Sequence, residues 1–267
     1  MTSHLRSEPL MSIIVELFKT SGKKVCRQDY VRKFSCPMIV RGTSEDLLTA
    51  NVFGILKNLD PKIWLRRFLE EAIKGKDFSR HTFENLSFEF WKRYRPPVNR
   101  KYREGISEVD VTISYKDGII FIEAKYLAPI SLRTSNDVRR DQVIRYLDLA
   151  AYHFLNHPDA VKEFYFVLIM DTEKPPWLLT RYKSQRNLAK GLTHHGLFPA
   201  NEDIASLLSK GIGWLTWKQV REILEVTKGQ FITTTEQRFV SDLISYLDYK
   251  IREAERIRIE RKQMSFW

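Results

Sequence analysis

Asp110, Glu123 and Lys125 interrupt two otherwise apolar runs in EVDVTISYKDGIIFIEAK, residues 108–125. In an extended chain, residues two apart share a face, so Glu123 projects with Lys125 and Glu108 with Asp110. If both runs are strands joined by the Lys116-Asp117-Gly118 turn, Asp110 and Glu123 converge; Asp-Gly is a strong hairpin signal. Two carboxylates with water and a phosphate oxygen form a hard-oxygen site suited to Mg²⁺, with Mn²⁺ expected to substitute. Lys125 beside them can orient or deprotonate water and help neutralise charge developing on a phosphodiester. Acid-x-Lys alone is a weak signal, since it recurs at Asp60-Pro61-Lys62 and Asp248-Tyr249-Lys250. The plainer reading of Glu123 and Lys125 is a solvated strand end, or an ion pair closing a hairpin. Context favours the chemical one: apolar strands, an upstream acid and a basic flank coincide here.

The elements that must position these groups are legible from period and punctuation. TSEDLLTANVFGILKNL (43–59) has Thr43 or Ser44 as N-cap, acids in the first turn, and apolar residues at helical spacing. Pro61 opens a second helix. The period then changes: 86–95 and 109–115 alternate, and 119–126 is nearly continuous in apolar residues. DVRRDQVIRYLDLAAYHFLNH (137–157) reads as a long helix, and KEFYFVLIMD (162–171) as a buried strand. Helix, three strands, helix, strand predicts an α/β fold with a mixed β-sheet flanked by helices. Short helices are expected at 203–210 and 216–226, then one or two helices with a basic end over 236–263. The predicted divisions are an N-terminal helical extension (1–42), a core (43–171) and a mainly helical, basic C-terminal region (172–267).

The charge balance points to a polyanionic partner. The chain has 267 residues, with 44 Lys and Arg against 33 Asp and Glu, for a net charge of +11. WKRYRPPVNRKYR (91–103) is rich in cations interleaved with aromatics and ends shortly before Asp110. Lys92, Arg93, Arg95, Arg100, Lys101 and Arg103, with Arg139 and Arg140 downstream, are the candidate nucleic-acid contacts. No apolar run approaches the roughly 20 residues that cross a bilayer, and no secretory signal is recognisable, so a cytoplasmic protein without a membrane partner is expected. Cys26 and Cys36 are too few for a disulfide framework or a cysteine-rich zinc site. His194 and His195 lack a supporting acid, and His153 reads as core packing. No G-x-x-x-x-G-K-[ST] loop is present, so an ATP motor is not expected.

Asp110 followed by Glu123-Ala124-Lys125 on the next strand resembles the PD-(D/E)XK nuclease superfamily, with Val109 where the usual proline stands. Gln142-Val-Ile-Arg-Tyr146 is similar to the Q-x-x-x-Y motif of its RecB-like branch; four apart, the two side chains share a helix face. The resemblance covers about residues 43–171. It implies a restriction-endonuclease-like fold and a Mg²⁺-dependent nuclease that hydrolyses DNA phosphodiester bonds. Such enzymes act in DNA repair, recombination, or defence against or mobility of foreign DNA. It further implies that Asp110 and Glu123 bind metal, that Lys125 acts on water, and that Gln142 and Tyr146 support the site or contact DNA. Many members add an acid from the first core helix. Glu45 is the candidate here, the alternative being that it complements the helix N-terminus; Glu108 is a further carboxylate within reach. A catalytically silent DNA-binding module, or a subunit of a larger transposition or restriction complex, is the competing expectation. RNA as substrate and a homodimer both stay open.

Overall fold

The structure, a computed structural model, describes residues 44–96, 105–133, 140–155, 162–193 and 202–264. The expected N-terminal extension with Cys26 and Cys36, the candidate contacts Arg100, Lys101, Arg103 and Arg139, and His194 and His195 lie outside these residues.

Side-chain caps start the helices. Ser44 Oγ accepts from the Leu47 N–H at 3.1 Å at the head of α1 (Glu45–Leu56). Asp60 caps α2 (Pro61–Ala72), whose first turn holds Pro61. The meander follows as β1 (Ser87–Tyr94), β2 (Ser107–Tyr115) and β3 (Gly118–Ala124), antiparallel in sequence order. Tyr115 pairs with Gly118 across the predicted Asp-Gly turn.

Beyond β3, α3 (Gln142–Ala150) runs into a π-helical turn at Ala151–Leu155. β4 (Glu163–Met170) then pairs parallel with β3. Its continuous apolar sequence suits burial on both faces, as a parallel strand requires. α4 (Trp177–Lys183), α5 (Gln185–Thr193) and α6 (Glu202–Lys210) lead to β5 (Ile212–Thr216), parallel to β4. α7 (Trp217–Thr227) starts with a capping box between Thr216 and Gln219, and α8 (Thr234–Met264) is one helix of 31 residues. The result is an α/β structure: a mixed sheet in the order β1-β2-β3-β4-β5 with helices on both faces. One core joins the sheet to α1, α2, α7 and α8; the other joins it to α3, α4, α5 and α6. No helix among the described residues is long and apolar enough to cross a membrane.

The structure departs from the sequence expectations in several places. The C-terminal region contributes a strand, β5, in the short apolar run IGWLT between the expected helices at 203–210 and 216–226, where the sequence predicts no element. α4 and α5 were not anticipated. The helix expected from residue 137 begins at Gln142; Arg140 and Asp141 precede it, and Asp141 is its N-cap, accepting from the Ile144 N–H at 2.9 Å. A short polar side chain satisfies the orphan amides there better than another helical turn would.

Candidate active site

The site forms where the sheet forks. β2 and β3 pair as far as Val111 and Ile122; beyond these β2 continues against β1, and β3 against β4. Asp110 and Glu123 are the next residues along each strand, so they face each other at the fork. Asp110 Oδ2 accepts from the Ala124 N–H at 2.9 Å, replacing the ladder bond that the separating strand no longer supplies. Across from Asp110, between the pairs Phe90–Val111 and Lys92–Val109, stands Trp91 with φ +50°. Alternation breaks at this level: Val109 and Val111 enter opposite cores, as do Tyr94 and Phe90. A left-handed conformation at a bulky residue costs about 1–3 kcal/mol and persists only where surrounding packing dictates it.

Lys125 lies just past the end of β3. Its Nζ is 2.6 Å from Glu123 Oε1 and 3.0 Å from Glu45 Oε1. Glu45, at the start of α1, also accepts from the Tyr126 N–H through Oε2 at 2.8 Å. Both descriptions of Glu45 therefore meet in one residue: it begins a helix and it enters the cluster. α3 supplies the next layer. Gln142 Nε2 donates to Glu123 Oε1 at 2.6 Å and lies 3.1 Å from the Tyr146 hydroxyl, which donates to the Glu108 carbonyl at 2.9 Å. The Gln-x-x-x-Tyr spacing thus aims two side chains at one carboxylate and the strand beside it.

Glu108 itself turns away, pairing with Arg93 at 2.8 Å. Arg93 and Arg95 are exposed, and Lys92 pairs with Glu89. These charges lie on an edge strand, where they also discourage edge-to-edge pairing. Arg140 requires a correction. It is buried and bonded to Asp148 at 2.6 Å, both side chains nearly sealed from solvent, so it serves the interior and is not placed to meet a nucleic-acid backbone. His153 sits in the π turn, with Nε2 2.8 Å from the Arg95 carbonyl, instead of in the core.

Several positioning residues escaped the sequence. Trp217 Nε1 donates to the Lys125 carbonyl at 3.0 Å, and the Lys125 N–H donates to the Ile169 carbonyl at 2.7 Å. Asp171 Oδ2 accepts from the Leu127 N–H at 3.0 Å and pairs with Arg258 of α8 at 2.7 Å. An acid ending the apolar run KEFYFVLIMD is the same signal that marked Glu123, and it would have found Asp171. Nothing in the sequence brings α7 and α8 to this edge.

Charge at the site is unbalanced. When ionised, Glu45, Asp110 and Glu123 outnumber the single ammonium of Lys125 by two. Burial, then repulsion from Glu123, holds the Asp110 carboxyl well above the usual range, and burial raises Glu45 despite Lys125. Burial opposes the charge on Lys125, but Glu123, Asp110 and Glu45 outweigh it and raise its pKa, so it is a firm ammonium. Of the two expected roles, orienting and neutralising suit this lysine; accepting a proton at neutral pH does not. Burial, then the negative charge of Glu123 and Asp110, raises the Tyr146 phenol as well, which stays a donor.

A hard divalent cation fits this donor set. Glu123 is 2% exposed, and its Oε2 has no hydrogen-bond partner among the described residues. Mg²⁺ commonly takes one or two protein carboxylates and completes its shell with water and phosphate. Among the described residues no three His, Cys, Asp or Glu side chains stand together at ligand spacing. Lys125 occupies the third side of the cluster. α1, α3 and α7 all begin at this edge, so their N-terminal partial charges favour an anion there.

No protein-family model, curated protein or solved structure matches this chain.

Proposed function

We propose that the chain is a metal-dependent deoxyribonuclease with a restriction-endonuclease-like core, hydrolysing DNA phosphodiester bonds at the fork between β2 and β3. The observation that carries this is the convergence of Asp110, Glu123, Lys125, Glu45 and Gln142 from separate elements, with a surplus of negative charge and an unpartnered buried carboxylate oxygen.

Asp110 and Glu123 would hold the ion, Mg²⁺ or Mn²⁺, and Glu45, paired with Lys125, would be the further carboxylate beside them. When bound, the ion supplies charge that offsets the negative charge growing on the phosphate and favours the deprotonated form of water. Gln142 holds Glu123 in one rotamer, and Tyr146 holds Gln142. The Lys125 ammonium, fixed through its backbone by Ile169 and Trp217, orients the attacking water and screens the phosphate. Arg93 and Arg95, with Arg100, Lys101 and Arg103 next to them in sequence, supply backbone contacts that carry no sequence information.

The test is a nicking assay on supercoiled plasmid. Cleavage should require Mg²⁺ or Mn²⁺, stop with EDTA, and vanish in Asp110→Ala and Glu123→Ala while DNA retention persists and weakens steeply with salt. Equal cleavage by the unsubstituted chain and Asp110→Ala overturns the assignment. Binding without cleavage under every metal condition selects the silent DNA-binding module. Cleavage that appears only with a partner chain selects a subunit of a larger complex.

A further inference from the structure

Three of the eight exposed large apolar side chains among the described residues lie on segments attached to α3, the helix that presents Gln142. Ile106 is 59% exposed, Leu132 57% and Trp177 56%. Ile106 precedes β2, and Arg145 of α3 donates to its carbonyl at 2.8 Å. Leu132 adjoins Ser131, whose N–H reaches Gln142 Oε1 at 3.4 Å. Trp177 opens α4, which is tied to the N-cap of α3 where the Tyr182 hydroxyl donates to Asp141 Oδ2 at 2.5 Å. At 1.5 Å per residue, Trp177 stands about 8 Å along α4 from that tie. All three therefore lie on segments anchored to the N-terminal part of α3, the rim of the fork that presents Gln142 to Glu123.

Each also has an arginine beside it. The Arg181 guanidinium is 5.7 Å from the centre of the Trp177 ring, the exposed Arg133 follows Leu132, and Arg145 reaches Ile106. Apolar faces alternating with guanidinium groups match a ligand that alternates bases with phosphates. Intact duplex offers phosphate and sugar but keeps its bases stacked inside, where an exposed Trp face cannot reach them. The apolar residues are single and separated by charge, unlike the contiguous apolar centre of a protein interface.

We infer that this rim, with Trp177 as its stacking platform, holds the unpaired bases of a DNA single strand or frayed end entering the site. The inference rests on the nuclease reading and narrows its substrate class. Strand separation presents each phosphodiester to the fork on one chain, and the rim fixes the bases on the α3 side of it.

The experiment measures fluorescence anisotropy of a labelled oligonucleotide, as single strand and as duplex, against the full chain in EDTA. Trp177→Ala should weaken single-strand binding by about tenfold and duplex binding by less than twofold, and Trp177→Phe should restore most of the loss. Unchanged melting temperatures establish that both variants are folded, as expected for an exposed side chain. Equal effects on both DNA forms, or none on single strands, overturn the inference while metal-dependent nicking by the unsubstituted chain leaves the nuclease reading standing. Absence of binding to either form, together with absence of nicking, sinks both. Light scattering supplies the remaining outcome: if Trp177→Ala breaks a dimer and leaves single-strand affinity unchanged, the rim is a protein interface and the inference is wrong.

Discussion

Replacing Lys125 with methionine keeps the length and apolar stem of the side chain and removes only its charge. Nζ stands 2.6 Å from Glu123 Oε1 and 3.0 Å from Glu45 Oε1. At an effective dielectric of about 20, each contact contributes about 6 kcal/mol before desolvation is counted. The lysine side chain is 12% exposed, so its desolvation offsets much of that. Breaking a buried pair by removing one partner costs about 3–5 kcal/mol. At about 2–4 °C per kcal/mol for a chain of this size, Tm falls by about 6–20 °C. Protonation limits the damage: Asp110 and Glu45 already hold protons more tightly than usual, and without Lys125 they do so more strongly. The loss should therefore be greatest at pH 8 and shrink towards pH 5. Urea unfolding of Lys125→Met beside the unsubstituted chain at both pH values measures this. The double variant Glu123→Gln/Lys125→Met should recover about 2 kcal/mol of the loss. A loss below about 1 kcal/mol, or one equal at pH 5 and pH 8, refutes the view that Lys125 neutralises a cluster of ionised acids.

Asp110→Asn should stabilise the fold by about 1 kcal/mol or more at pH 8 and lose that gain near pH 4. Between the ordinary 3.8 and its raised folded value, the folded chain keeps a proton the unfolded chain has released, so stability falls as pH rises through that window; a gain independent of pH would contradict this. Tyr146→Phe removes the donor to the Glu108 carbonyl and one neighbour of Gln142, costing about 1–2 kcal/mol in thermal or urea unfolding. Nicking should slow by about tenfold or more in the same variant, and an unaltered rate would remove Tyr146 from the supporting layer. Arg140→Ala should destabilise by about 3–5 kcal/mol because it leaves Asp148 buried beside a missing partner. DNA affinity per folded molecule should stay within twofold, and a selective loss of DNA binding would restore Arg140 as a contact.

Much of the site was legible because local rules sufficed. The Asp117-Gly118 turn sets the register Tyr115–Gly118, and that register alone carries Asp110 opposite Glu123. A four-residue spacing places Gln142 and Tyr146 on one helix face, and capping chemistry starts α1 at Glu45. Arg140 misled because a cation beside other cations in sequence resembles a basic flank; only packing reveals that its guanidinium points inward to Asp148. β5 was hidden for a similar reason. Five residues of apolar chain between helical patterns have no period of their own, and their identity as a strand depends on β4 lying alongside.

By itself the sequence determined the first two helices, the three strands of the meander and β4, where the Asp-Gly hairpin closes, and that Asp110, Glu123 and Lys125 stand among apolar residues, since these follow from contacts within a few residues. Tertiary structure alone decided that the sheet forks at Asp110, that Glu45 rather than Glu108 joins Glu123 and Lys125, and that α7 and α8 secure the chain after β3 through Trp217 and Arg258. Those outcomes depend on charges meeting across long stretches of chain. Their energies are set by burial and dielectric, which exist only once the cores have closed.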